Sequence, residues 1–128
     1  MGDRGNILVK QHNGSHVYLY THWDGTRLPI LLRKTLARKL RWNDESYLAR
    51  IIFSAMIASD VEGENGYGIA TSPPDNEHNF LILDCKNQKV IATKEDLAPL
   101  RDMSFKDYIS LSDKEALKFR DSYEEEQD

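Results

Sequence analysis

Two apolar segments flank the dipeptide Asn13-Gly14, and together they most narrow what this chain can fold into. Asn-Gly favours a two-residue type I′ turn, so residues 6–12 and 15–23 read as a β-hairpin. That turn sets an expected register of Val9 with Tyr18, Ile7 with Tyr20 and Leu8 with Leu19. Both faces of the hairpin are then apolar near its middle. A hairpin with one wet face would alternate apolar and polar residues, so this one is expected inside a sheet, covered on both sides by helices, a ligand or a second subunit.

The second strand runs into an unusual cluster, Tyr18-Leu19-Tyr20-Thr21-His22-Trp23-Asp24-Gly25-Thr26-Arg27. A rigid strand that ends in such a turn is a common way of presenting chemistry. Residues 28–41 follow as an expected amphipathic helix. Pro29 suits its first turn, Leu28, Leu32, Leu36 and Leu40 form an apolar stripe, and Lys34, Arg38 and Arg41 form a basic one. Asn43 or Asp44 can cap a second helix over 45–59. Its residues Tyr47, Leu48, Ile51, Ile52, Phe53, Met56 and Ile57 leave it apolar almost all round, so it is expected to be the buried one.

Short strands are expected at 67–71, 79–85 and 89–93, with a stiff polar connection through Pro73-Pro74. Ser104 can cap a short helix ending near Leu111. Ser112 and Glu115 match a capping box that starts a last helix over 113–123. The expected fold class is α+β: an antiparallel sheet of about five strands, a two-helix hairpin on one face and a short C-terminal helical segment. Residues 1–123 are expected to form a single domain.

The chain has 128 residues, of which 30% are charged and 40% hydrophobic, an ordinary globular composition. Residues 1–111 hold 14 basic and 14 acidic side chains, so the net charge of −4 comes from the remaining residues. The tail 124–128 is expected to be a solvated, disordered acidic end. Broad nucleic-acid binding is disfavoured by the sequence pI near 5.6. No apolar run reaches the roughly 20 residues of a membrane span, and the first residues lack a signal-peptide layout. Asn6 stands where myristoylation wants Ser or Thr. The lone Cys85 excludes an intrachain disulfide, fits a reducing cytoplasm and reads as a small buried hydrophobe.

Three groups of residues can carry chemistry. Arg50 is the only charge on the second helix between Ser46 and Ser59. If buried, its guanidinium needs a carboxylate such as Asp84, or an anionic ligand. His22, Trp23, Asp24 and Arg27 form the second group, with Arg27 placed to meet an anion at the following helix N-terminus. Asp75, Asn76, Glu77 and His78 form the third. A metal set of Asp75, Glu77, His78 and His22 is weak on spacing, so neither metal nor cofactor is expected. No nucleophile elbow, Walker loop, dinucleotide fingerprint or zinc spacing is present, which lowers the case for an enzyme.

The opening Met1-Gly2-Asp3-Arg4-Gly5-Asn6 and the run Tyr18 to Gly25 resemble a family of small bacterial and phage proteins. Those proteins begin Met-Gly-x-Arg-Gly-Asn and carry a Tyr-Leu-Tyr-x-His-Trp-x-Gly strand end. The segments 47–53 and 75–78 fit the same pattern, so the resemblance covers roughly the first 85 residues. Its one mild departure is Asn65 within 64–69. The resemblance implies kinship and no mechanism.

The leading expectation is a non-enzymatic binder of an anionic small molecule, such as a nucleotide or cyclic-nucleotide signal sequestered by a phage counter-defence protein. Arg4, Arg27 and Arg50 would hold charge, Trp23 or Tyr20 would stack, and His22, Asn76 and His78 would orient the ligand. One alternative is a small hydrolase using His22 or His78 with Asp75 or Glu77. The other is a protein inhibitor of a bacterial enzyme or nuclease. Homo-oligomerisation is expected, because the hairpin needs cover on both faces.

Overall fold

The computed structural model describes residues 2–122, and the acidic tail lies outside them. Six strands form one sheet: β1 (Gly5–Lys10), β2 (His16–Thr21), β3 (Tyr67–Ala70), β4 (Phe80–Asp84), β5 (Lys89–Thr93) and β6 (Pro99–Ser104). Their order is β3-β2-β1-β4-β5-β6. Four helices accompany them: α1 (Leu28–Leu36), α2 (Glu45–Met56), α3 (Phe105–Tyr108) and α4 (Asp113–Asp121). The α+β class holds, with two refinements. β1 and β4 pair in parallel, so the sheet is mixed, and β6 adds a sixth strand. β6 escapes a pattern search because Pro99, Arg101 and Asp102 break its alternation, as suits an edge strand.

The hairpin exists, but its register is one residue away from expectation. Ile7 faces Leu19, Leu8 faces Tyr18 and Val9 faces Val17. The turn is the cause. Gly14 alone takes positive φ (+89°), its N–H donates to Gln11 O, and Gln11 N–H donates to Ser15 O. This is a three-residue loop, a type I turn closed by a glycine bulge, instead of a two-residue type I′ turn. Asn13 uses its side chain to accept from the N–H and hydroxyl of Ser15.

Period-two alternation then gives each face its own core. Ile7, Val9, Leu19, Leu81, Leu83, Val90 and Ala92 pack with residues of all four helices, so the helices share one face. Leu8, Tyr18, Phe80 and Ile82 form a second buried cluster on the other face. The chain covers that face itself. Residues 71–79 must pass from edge strand β3 across β2 and β1 to β4. They do so on the Leu8 side, where Asn6 Nδ2–H donates to Asp75 O and Asn76 Oδ1. β1 is therefore enclosed within one chain, and the packing reason for a second subunit falls away.

α1 stops at Leu36, short of the expected Arg41. The Trp42 indole N–H donates to Leu36 O, and Lys39 and Arg41 adopt positive φ, so the chain reverses there. Leu28, Leu32 and Leu36 are buried, whereas Leu40 is exposed. Asp44 caps α2 through Tyr47 N–H, Ser104 caps α3, and Ser112 with Glu115 forms the capping box of α4. α2 is amphipathic: Leu48, Ile51, Ile52 and Met56 are buried, while Tyr47, Arg50 and Ser54 are exposed. Among the described residues, no helix is long and apolar enough to cross a membrane.

Candidate functional site

Four distant segments meet at one end of β1 and β2. They are residues 2–4, the turn 22–27, the loop 75–79 and the last turn of α4. Backbone bonds fasten the first two, with Asp3 N–H donating to His22 O and Gly25 N–H to Asp3 O. The Asp3 carboxylate accepts from Thr26 N–H through Oδ2 (2.9 Å) and bonds His78 Nε2 through Oδ1 (2.6 Å). Burial raises the Asp3 carboxyl, but the bonds from His78 and Thr26 outweigh it and hold the group below its ordinary range.

On its other side, His78 Nδ1 lies 3.3 Å from an Arg120 guanidinium nitrogen. Arginine can only donate, so Nδ1 must be the acceptor and Nε2 must carry the proton toward Asp3. Arg120 is 1% exposed. It also donates to Gly25 O and, through two nitrogens, to both carboxylate oxygens of Asp121 (2.6 and 3.1 Å). Asn79 Nδ2–H donates to Arg120 O, which ties the loop to α4.

The buried arginine is thus Arg120 and not Arg50. Arg50 stands on the exposed face of α2, and Asp84, its expected partner, bonds Asn87 instead. A guanidinium in water needs no counter-charge, so Arg50 anchors no buried pocket.

The other expected residues divide into two groups. Arg4 donates through its backbone N–H (3.0 Å) and Nε (2.9 Å) to Glu77 Oε1, and through a terminal nitrogen to Asp75 (3.3 Å). These bonds hold the Glu77 carboxyl below its ordinary range. Asn76 Oδ1 accepts from Asn6, and its amide N–H donates to Glu95 Oε1 and His78 O. Arg4, Asn76 and His78 therefore clamp the crossover loop to the start of β1. His78 pairs with Asp3, not with Asp75 or Glu77, so the catalytic pairing expected of a hydrolase does not form. Asp3 and Arg120 are not among the site residues that the sequence pattern points to. The signal for Arg120 was present: Ala116, Phe119 and Arg120 share one helical stripe and are all buried.

An aromatic group forms the outer side of the turn. The Tyr20 hydroxyl bonds His22 Nδ1 (2.9 Å). Trp23 is 47% exposed and meets His22 and Tyr67 edge to face at 6.0 and 5.9 Å. Arg27 lies just beyond, beside a cavity of about 250 Å³ between α1 and α2. Its lining comprises Asp24, Arg27, Leu28, Ile30, Leu31, Lys34, Thr35 and Ala55. Arg27 and Lys34 are exposed and have no carboxylate partner among the described residues. α1 has no side-chain cap, but it continues a short 3-10 turn over Gly25–Arg27: Arg27 N–H donates to Asp24 O, Leu28 N–H donates to Gly25 O, and Pro29 carries no N–H.

Among the described residues, no group of three or more His, Cys, Asp and Glu side chains is arranged to hold a metal ion. Cys85 is buried in the helix-side core, where burial pushes its thiol up to about 12. The chain matches no protein-family profile, no curated protein and no solved structure.

Proposed function

We propose that the protein binds an anionic small molecule without turning it over, holding it in the cavity between α1 and α2. One observation carries this reading: two cations, Arg27 and Lys34, line an apolar-floored concavity and lack a carboxylate partner among the described residues. Seven positions apart, they lie two turns along one face of the helix. Leu28, Ile30, Leu31 and Ala55 supply the apolar floor, which strengthens a charge-assisted hydrogen bond by excluding water.

The ligand class follows from Asp24 and its neighbour in sequence. Asp24 in the lining offers an acceptor for a hydroxyl, and Trp23, next to it along the chain but outside the lining, is a half-exposed planar ring. An anion carrying a hydroxyl and a flat ring is of the nucleotide type. The volume of about 250 Å³ is just below the usual ligand-site range of about 300–1,000 Å³, so the cavity takes a small ligand with its ring near the surface. Binding without turnover is supported by the occupation of the candidate bases. His78 has both ring nitrogens engaged, His22 bonds Tyr20, and Asp75 and Glu77 hold Arg4. In a bacterial or phage setting, such a binder acts by sequestration, which is the counter-defence role of a protein that removes a nucleotide signal.

Calorimetry with nucleoside monophosphates, cyclic nucleotides and inorganic phosphate tests the reading. Wild type is expected to release heat with at least one nucleotide. Arg27→Ala and Lys34→Ala are each expected to weaken binding by about 1.5–3 kcal/mol, roughly tenfold to a hundredfold. Silence across the whole panel, or binding indifferent to both substitutions, would sink it. Appearance of a hydrolysis product would replace it with the enzyme reading.

A further inference from the structure

We infer that the Arg120–His78 contact is a protonation-sensitive brace on the turn 22–27, holding the guanidinium against Gly25 O only while His78 Nδ1 is unprotonated. The contact requires a lone pair on Nδ1, because the partner nitrogen of Arg120 has only hydrogens to offer. Protonation at Nδ1 would set two N–H groups and two positive charges 3.3 Å apart. The guanidinium is then repelled from the ring. Asp121 already holds it through two nitrogens, and the Asp121 side chain is 44% exposed, so the pair can move toward solvent. In doing so Arg120 gives up Gly25 O.

The charged groups facing His78 come from every element around it. Two carboxylates face it, Asp3 on the segment before β1 and Glu77 on the same loop. Arg120 faces it from α4, with its guanidinium paired to Asp121. The turn feels any movement of the ring because the packing there is tight. A Cβ on Gly25 would lie 2.8 Å from His78 Cδ2 and 2.8 Å from Asp3 O. Protonation leaves the bonds from Gly25 N–H and Thr26 N–H to Asp3 in place, so the turn is released on one side only. Trp23, Asp24 and Arg27 ride on that turn. The brace is a property of the ligand-free protein, so it stands or falls separately from the proposed ligand.

Nitrogen-15 NMR of the free protein across a pH series tests this. At its alkaline end, the His78 ring is expected as the Nε2–H tautomer. On acidification, the Gly25 and Thr26 amides are expected to shift with the same midpoint as His78. His78→Gln can still donate to Asp3 and accept from Arg120 but cannot titrate, so in it those shifts are lost. In His22→Gln they persist. An Nδ1–H tautomer of His78, amides that stay still as His78 titrates, or shifts that disappear in His22→Gln would each overturn the inference. The tautomer is read on wild type and decides the matter even where a variant fails to fold.

Discussion

Gly66 packs against the ring of Trp23, so close that a Cβ at this position would be 2.1 Å from Trp23 Cζ3. It also takes φ +97°, which side chains other than glycine rarely adopt. Gly66→Ala is therefore expected to lose stability by at least the 1–3 kcal/mol or so of such backbone strain, and to displace the indole. Gly68, two residues on, has open space around its missing Cβ and no such φ. Gly68→Ala is expected to be neutral or to stabilise by up to about 1 kcal/mol through the unfolded chain. Urea melts of both variants with tryptophan emission check the pair. Equal losses at the two sites would contradict the contact.

The two arginines that compete for the description of a buried cation differ sharply in expected cost. Arg120→Ala leaves His78 Nδ1 without its donor, at about 1–3 kcal/mol for the unsatisfied group, and removes one of the two donors to Gly25 O, the other being Leu28 N–H. Arg50→Ala removes an exposed side chain and is expected to stay within about 0.5 kcal/mol of wild type. Chemical denaturation ranks them. A larger loss at Arg50 would mean that α2 is not packed as described.

Acid stability depends on four carboxylates among the described residues. Asp3 and Asp84 titrate below their ordinary value of 3.8, and Glu77 and Glu115 below 4.5, in the folded chain. Each contributes stability above its unfolded pKa and loses that contribution as pH falls through the lower, folded value. The affected window therefore lies from about pH 4.5 downward. Asp3→Asn is expected to lower the melting temperature at neutral pH and to flatten its fall in that window. Melting curves taken from pH 5 to pH 2.5 read this out, and a slope as steep as that of wild type would rule it out.

Cys85 offers a probe of global opening. Its side chain is 3% exposed, and burial pushes the thiol up to about 12, so it holds almost no thiolate near neutral pH. A thiol reagent is expected to label it only as fast as the chain unfolds, with the rate rising in step with urea. Rapid labelling of the native protein would show that this part of the core opens locally.

Much of the fold was legible because it is written locally. Helix caps need residues three positions apart, and Asp44, Ser104 and Ser112 all act as such caps. The apolar pattern likewise placed β1 inside the sheet. The register failed on a single turn, because Asn13-Gly14 suits two hairpin loops that differ by one residue in length. The site was less legible, since its groups meet only through long-range packing. Arg120 bonds a carbonyl 95 positions away, and His78 finds its carboxylate 75 positions away, beside β1. A buried guanidinium was the correct thing to seek. The apolar composition of α2 pointed to Arg50, although only one side of that helix touches the core.

The parallel pairing of β1 with β4 has a consequence for how the chain is made. Ile7 waits for Leu81, more than seventy residues later in synthesis, before its second edge finds hydrogen bonds. Until then a strand whose Ile7, Leu8 and Val9 all end up buried emerges from the ribosome with an unzipped flank, able to pair with a neighbouring nascent copy. Slow passage of the ribosome between β3 and β4 would lengthen that exposure, and the clamp of Arg4 on Glu77 can close only afterwards.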